Sequence, residues 1–190
     1  YQPKLPPALR NGAKVTISEG APTTAVADVD KVKAIFKATF GSPVLTFTGN
    51  CEGSCGKCNR SINAGVILSG GQAPGGHNVI AGLFDGLKSL NSDNKLYGFL
   101  KGPDGLVKNE FTELTSDFIA DYRNTGGFDM IGSGRTKLET DEQFELARKH
   151  CEALGITALV VIGGDDSNTN ACLLAEYFKA NNIGIQVIGC

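Results

Sequence analysis

The stretch Val66-Ile67-Leu68-Ser69-Gly70-Gly71-Gln72-Ala73-Pro74-Gly75-Gly76 decides how the whole chain reads. Three apolar residues run without alternation into a glycine-rich turn. Behind it Val79, Ile80, Leu83, Phe84, Leu87 and Leu90 recur at helical spacing. A continuous apolar strand is buried on both faces, the mark of a parallel strand covered by helices. The unit recurs downstream, where Leu159-Val160-Val161-Ile162 enters Gly163-Gly164-Asp165-Asp166-Ser167-Asn168-Thr169 and then a helix over Asn170 to Lys179. Between the two lie a strand over Leu96 to Leu100, a turn at Gly102 to Gly105, and a short helix carrying Phe118, Ile119 and Tyr122 that Thr115 or Ser116 can cap. A strand over Phe128 to Ile131 then leads into Gly132-Ser133-Gly134-Arg135-Thr136-Lys137. Thr140-x-x-Gln143 is a capping box opening a helix with Phe144, Ala147, Cys151 and Leu154 inward. Gln186 to Ile188 closes the series. Alternating strands and helices predict an α/β fold: a doubly wound, mainly parallel sheet with helices on both faces. In such sheets ligands bind at the carboxyl ends of the strands, where these glycine loops sit.

Residues 62–190 form this domain. Residues 1–61 read as a leader with a helix over Asp28 to Phe40, a short strand over Val44 to Thr48 and a cysteine-rich turn from Cys51 to Cys58. Tyr1 to about Gly20, with Pro3, Pro6 and Pro7, reads as extended chain. The length of 190 residues suits about one domain. The net charge of −2 argues against a nucleic-acid or anionic-membrane partner held by bulk charge. The longest apolar run, Ile156 to Ile162, falls far short of the roughly 18 residues a membrane span needs. Glycine is the outlier: 25 of the 190 residues, nearly twice the usual share of about 7%. Clustered glycine admits positive φ and lets a ligand approach main-chain N–H groups closely.

The loops differ in what they can do. In Gly70 to Gly76, exposed N–H groups and the positive end of the following helix suit an anion, although a tight turn without ligand has the same pattern. The loop lacks the Lys-[Ser/Thr] ending of a Walker A motif and is not a G-x-G-x-x-G fingerprint. Asp165 and Asp166 could hold Mg²⁺ through one or two oxygens, phosphate and water completing its shell, or could simply cap a helix. Arg135 and Lys137 follow a strand end, where they could bind phosphoryl oxygens or stand as solvated charges; Arg135 has the bidentate geometry.

Cys51-x₃-Cys55-x₂-Cys58 has the spacing of radical-SAM iron–sulfur ligands. Lys57 stands where that motif expects an aromatic residue, and a structural zinc site would need a fourth ligand. Free thiols in a surface loop are the simplest alternative. Cys151 and Cys172 fall on helix faces and read as core. His77 opens a helix, as a ligand contact or as an N-terminal polar residue. His150 sits in a last helical turn, favourable for the dipole. Neither has a nucleophile in evident partnership.

Four stretches taken together, Gly70 to Asn78, Gly98 to Leu106, Asn124 to Asp129 and Gly163 to Thr169, resemble the phosphofructokinase family, most closely its long, pyrophosphate-dependent branch. The resemblance covers about Ile62 to Cys190, with the motifs in family order. It implies reversible transfer of a phosphoryl group from pyrophosphate to the 1-hydroxyl of fructose 6-phosphate, with Mg²⁺, by a cytoplasmic homo-oligomer. It makes residues 62–190 a phosphate-donor-binding domain. Gly70, Gly71, Gly75, Gly76, Arg135 and Lys137 would bind diphosphate, and Asp165 would hold the metal. Asp166 would govern donor selectivity and catalysis, because ATP-using relatives carry glycine there. A carboxylate where a nucleotide's α-phosphate would lie repels it, and pyrophosphate has no such phosphate. The family continues past this point with Pro-Lys-Thr-Ile-Asp-Gly-Asp, which supplies a lysine and the general base. The sequence ends at Cys190, immediately before it. The expectation is therefore the donor-binding part of a longer enzyme, inactive alone; the alternative is a non-catalytic binding or regulatory subunit.

Overall fold

The computed structural model describes residues 15–49 and 61–190. Its elements in chain order are β1 (Val15–Pro22), α1 (Val29–Ile35), β2 (Pro43–Gly49), β3 (Asn63–Ser69), α2 (Gly76–Leu90), β4 (Lys95–Phe99), α3 (Pro103–Lys108), β5 (Phe111–Glu113), α4 (Ser116–Ala120), β6 (Ser133–Gly134), α5 (Asp141–Ala153), β7 (Ile156–Ile162), α6 (Asp165–Ala180) and β8 (Gln186–Gly189). The main sheet runs β5-β4-β3-β7-β8, and β6 pairs with the end of β3. Every pairing in it is parallel except β4 with β5. The chain leaves β3 toward β4 on one side and returns toward β7 on the other, so the strand order reverses at β3 and β7. Gly70 and Gly163 follow the ends of these two strands.

Two apolar cores flank the sheet, split by the period of two along each strand. On one face Ile67, Tyr97, Phe99, Leu159 and Val161 pack against Leu106 of α3, Phe144 and Ala147 of α5, and Leu174 and Phe178 of α6. On the other, Val66, Leu68, Leu96, Val160 and Ile162 pack against Ile80 and Phe84 of α2 and Ile119 of α4. Phe99, Ile67, Leu68, Ile80 and Leu159 are fully buried, and each such side chain stabilises by about 1.5–3 kcal/mol. Two strand glycines make room. A Cβ on Gly65 would lie 2.8 Å from the Phe99 ring, and one on Gly98 would lie 2.6 Å from Ile131.

The structure corrects three secondary-structure expectations in this domain and adds one strand. The turn at Gly102 to Gly105 is the start of α3, because Pro103 at the first helical position arrives with helical φ already set. The helix expected from Asn170 begins at Asp165, which puts both aspartates in its first turn. Phe128 to Ile131 is not a ladder strand; the N–H groups of Asp129 and Met130 go to the His77 ring instead, and pairing with β3 waits until Ser133. The edge strand β5 is short, half-buried and antiparallel, with no apolar run to betray it. The capping box at Thr140 and Gln143 forms as expected.

Ahead of the main sheet, β1 and β2 form an antiparallel pair, with Ile17 opposite Phe47. The helix expected over Asp28 to Phe40 stops at Ile35. Glu176 of α6 explains the stop. Its carboxylate accepts the N–H groups of Ala38 (2.7 Å) and Thr39 (2.8 Å) and the Thr39 hydroxyl (2.7 Å), so these amides have no need of helical carbonyls. Burial alone would raise the Glu176 pKa, yet these hydrogen bonds outweigh it and hold the carboxyl below its ordinary value. The clamp is therefore complete above the ordinary carboxylate range and is lost as pH falls through the depressed value. Glu176→Gln places an amide donor where two acceptors are needed and should weaken the clamp by about 1–3 kcal/mol. Faster hydrogen exchange at Ala38 and Thr39 would register it; unchanged exchange would show that other contacts hold the segment.

Candidate functional site

Beyond the carboxyl ends of β3 and β7, a cavity of about 160 Å³ is lined by Ser69, Gly70, Arg135, Thr136, Lys137, Asp166, Ser167 and Asn170. It brings together Gly70, Arg135, Lys137 and Asp166, from three stretches far apart in sequence. Lys137 Nζ stands 3.6 Å from Asp166 Oδ2. Arg135 lies over Gly71, where a Cβ would come 2.7 Å from Nη2. Two cations against one carboxylate leave the cavity with a net positive lining. Its volume is below the roughly 300–1,000 Å³ of pockets for drug-sized ligands, which suits a small anion.

The Gly70–Gly76 loop is held more firmly than its composition suggests. Gly70 N–H donates to Gly134 O (2.8 Å), Gly75 N–H to Gly126 O (2.8 Å) and His77 N–H to Gly127 O (2.9 Å). The Gly70 and Gly75 amides are thus engaged with protein carbonyls and are not free donors, contrary to the picture of a cradle of exposed N–H groups. Gly70 and Gly75 both have positive φ, 97° and 95°, which fits the choice of glycine at these turns. The first-turn amides of α2 and α6 lack intrahelical acceptors and face the loop region with the positive ends of their helices. Gly71, Gly75 and Gly76 line a second cavity of about 320 Å³ together with Gly163, Gly164 and Cys190. The glycine candidates therefore divide between two adjoining hollows.

Helix α6 explains the placement of the carboxylates. Gly164 is its N-cap, and Asp165 and Asp166 complement the helix dipole. Asp166 and Asn170, four residues apart, share a helix face and both line the first cavity. The Asn170 side chain pins the backbone just after Lys137, accepting Leu138 N–H (3.0 Å) and donating to Leu138 O (2.6 Å). Asn168 Nδ2 donates to Gly163 O (2.9 Å) and Gly164 O (3.1 Å), setting the turn before the helix. With the helix begun at Asp165, the i, i+4 spacing to Asp166 picks out Asn170 in the sequence.

Among the described residues no three His, Cys, Asp or Glu side chains gather as a metal-ligand cluster. The ion pairs among these residues include Asp166 but not Asp165. This is a donor set of one or two carboxylate oxygens, compatible with a hard cation that keeps waters and takes phosphate oxygens. Cys51, Cys55 and Cys58, candidates for an iron–sulfur cluster or zinc, lie outside the described residues. Cys151 is buried, and burial pushes its thiol up to about 12. Cys172 is exposed rather than core, lining an open surface hollow with Thr23, Phe36 and Phe40. His150 Nδ1 lies 2.7 Å from Leu106 O, tying α5 to α3. No helix of the described residues is long and apolar enough to cross a membrane.

The chain is 57% identical over 190 residues to the pyrophosphate–fructose 6-phosphate 1-phosphotransferase of Porphyromonas gingivalis, covering all of this chain and 34% of that protein. It is 49% identical over 189 residues to the protein of the same name from Entamoeba histolytica, again covering 34% of it. It therefore spans about a third of the length of these curated relatives. Among solved structures, the pyrophosphate-dependent phosphofructokinase of Marinobacter aquaeolei matches with a TM-score of 0.58 at 24% identity, over 67% of this chain and 32% of that one, a likeness that speaks for the fold alone. A family model described as phosphofructokinase matches residues 63–190, the stretch that builds the sheet and both cavities, and the chain belongs to that family.

Proposed function

We propose that the complete protein transfers a phosphoryl group from pyrophosphate to the 1-hydroxyl of fructose 6-phosphate, and that residues 62–190 carry the donor side of that reaction. The observation that carries this reading is the Lys137–Asp166 pair in one small cavity with Gly70 and Arg135. The relatives' names supply the two substrates. Arg135 grips donor oxygens with its planar fork, and Lys137 adds a point charge. Asp166 occupies the space where a nucleotide's inner phosphate would have to lie. Asp165 is the residue that would hold Mg²⁺, which neutralises charge on the donor phosphates when bound. Phosphoryl transfer needs little beyond positioning and charge stabilisation, and this half-site offers both. The general base and the sugar-phosphate contacts belong to the rest of the complete protein, which is proposed to be a cytoplasmic homo-oligomer.

The test is fructose 1,6-bisphosphate formation by the complete protein, with pyrophosphate or ATP as donor at equal Mg²⁺. Turnover with pyrophosphate alone is expected. Chelating the divalent ion should abolish it and added Mg²⁺ should restore it. Absence of turnover with either donor would overturn the reading in favour of a non-catalytic binding or regulatory subunit.

A further inference from the structure

We infer that His77 is a positioning residue that locks the donor loop to the segment delivering Arg135; this rests on the donor-site reading above. The side chain is buried, 3% exposed, in a helix whose neighbouring loops are the site itself. Its Nδ1 lies 2.7 Å from Thr125 Oγ1. The Thr125 hydroxyl spends its single proton on Tyr122 O, 2.6 Å away. Thr125 Oγ1 must therefore accept, and Nδ1 carries the imidazole proton. Nε2 is then the acceptor, and it receives two backbone N–H groups, from Asp129 (3.0 Å) and Met130 (2.8 Å). The Asp129 carboxylate also stands 3.0 Å from Nε2. A proton on Nε2 would face both amides donor to donor. The carboxylate itself is largely solvated, at 74% exposed. The tautomer with its proton on Nδ1 satisfies Thr125 and both amides. The ring stands edge-on to Tyr122 at 5.1 Å, and Gly127 has no room for a Cβ beside it.

The consequence lies in connectivity. One end of the glycine loop is fastened where Gly70 N–H meets Gly134 O, one residue before Arg135. The other end is fastened through Gly75, His77 N–H and the His77 ring to Gly126, Gly127, Asp129 and Met130. Loop 70–77 and segment 125–135 thus form a closed circuit, and His77 is its buried side-chain link. An asparagine or serine could not reach both amides and the threonine at once. The two ring nitrogens, one donating and one accepting, span them.

The experiment uses the complete protein and compares KM for pyrophosphate with KM for fructose 6-phosphate. His77→Phe keeps an aromatic ring and removes every polar contact of the side chain; it should raise KM for pyrophosphate by about tenfold or more, since displacements near 1 Å can cost up to about a hundredfold. KM for fructose 6-phosphate should stay within about twofold. His77→Gln, whose carbonyl can still accept the Asp129 and Met130 amides, should recover most of the loss. If His77→Phe leaves KM for pyrophosphate unchanged, or raises both KM values together, the inference is overturned and the residue is a general packing element. Should His77→Phe fail to fold, Thr125→Val decides: it removes the Nδ1 acceptor, together with the hydroxyl's own bond to Tyr122 O, and an unchanged KM for pyrophosphate would overturn the inference. Arg135→Met, run alongside, separates this from the donor reading. Should Arg135→Met also leave KM for pyrophosphate unmoved, the donor site itself is misassigned; should it alone raise that KM, only the role of His77 falls.

Discussion

Replacing Gly134 with alanine is expected to raise KM for pyrophosphate in the complete protein by about tenfold or more and to cost about 1–3 kcal/mol of stability. A Cβ there would collide with the Lys101 carbonyl oxygen, which is backbone and cannot rotate aside. On the other flank Gly102, at φ 78°, sits so close that a Cβ of its own would come 2.5 Å from Gly134 N. The two glycines allow the chain after β4 to pass against β6 at a spacing no side chain tolerates. Strand β6 can yield only by moving off β3, to which Ser133 and Gly134 are paired opposite Leu68 and Ser69. That movement shifts both things β6 sets: the carbonyl that holds Gly70 N–H and the backbone from which Arg135 departs. The control is Gly82→Ala on the exposed side of α2, where a Cβ meets nothing within 4 Å. It should stabilise the protein by about 0.5–1 kcal/mol through helix propensity and leave KM alone. Equal behaviour of the two variants in thermal unfolding and kinetics would refute the argument.

This contact also marks where the sequence stops being legible. Strands β3, β4, β7 and β8 announce themselves as apolar runs, and the capping box of α5 is a local pattern closed within four residues. What depends on a few neighbours can be read. The end of α1 cannot, because the group that takes its next amides is Glu176, more than 130 positions away. Nor can the loss of strand structure at Phe128 to Ile131, where a buried imidazole intercepts the amides a ladder would use. The candidate site shows the same division. Gly70, Arg135, Lys137 and Asp166 each stand out by residue type and loop context. Their meeting in one cavity depends on β6 lying beside β3, a two-residue pairing with no hydrophobic signature. Ser167 and Asn170 are hidden for a local reason: an α6 begun at Asn170 rather than Asp165 lacks the i, i+4 relation between Asp166 and Asn170.

Asp166→Gly in the complete protein is expected to move the ratio of kcat/KM for pyrophosphate over that for ATP by about tenfold to a hundredfold toward ATP. Juxtaposed like charges at a binding surface cost several kcal/mol, and each 1.4 kcal/mol is a factor of ten. The lower end of that range allows for screening, because the carboxylate is well exposed. Two effects combine in the shift. Removing the carboxylate lifts the repulsion and opens space for a nucleotide's inner phosphate. It also frees Lys137, whose ammonium now rests 3.6 Å from Asp166 Oδ2, and an unheld lysine binds pyrophosphate with a larger ordering cost. Use of pyrophosphate should therefore fall as ATP gains, rather than both rising. Asp166→Asn separates charge from bulk, because it keeps the side chain's volume and loses only its charge. If repulsion is the gate, asparagine admits ATP nearly as well as glycine does. If occupancy of the space is the gate, asparagine still excludes ATP while losing its hold on Lys137, and pyrophosphate use drops with no compensating gain. Unchanged donor preference in both variants would remove Asp166 from donor selection and leave Lys137 and Arg135 as the determinants to be tested next.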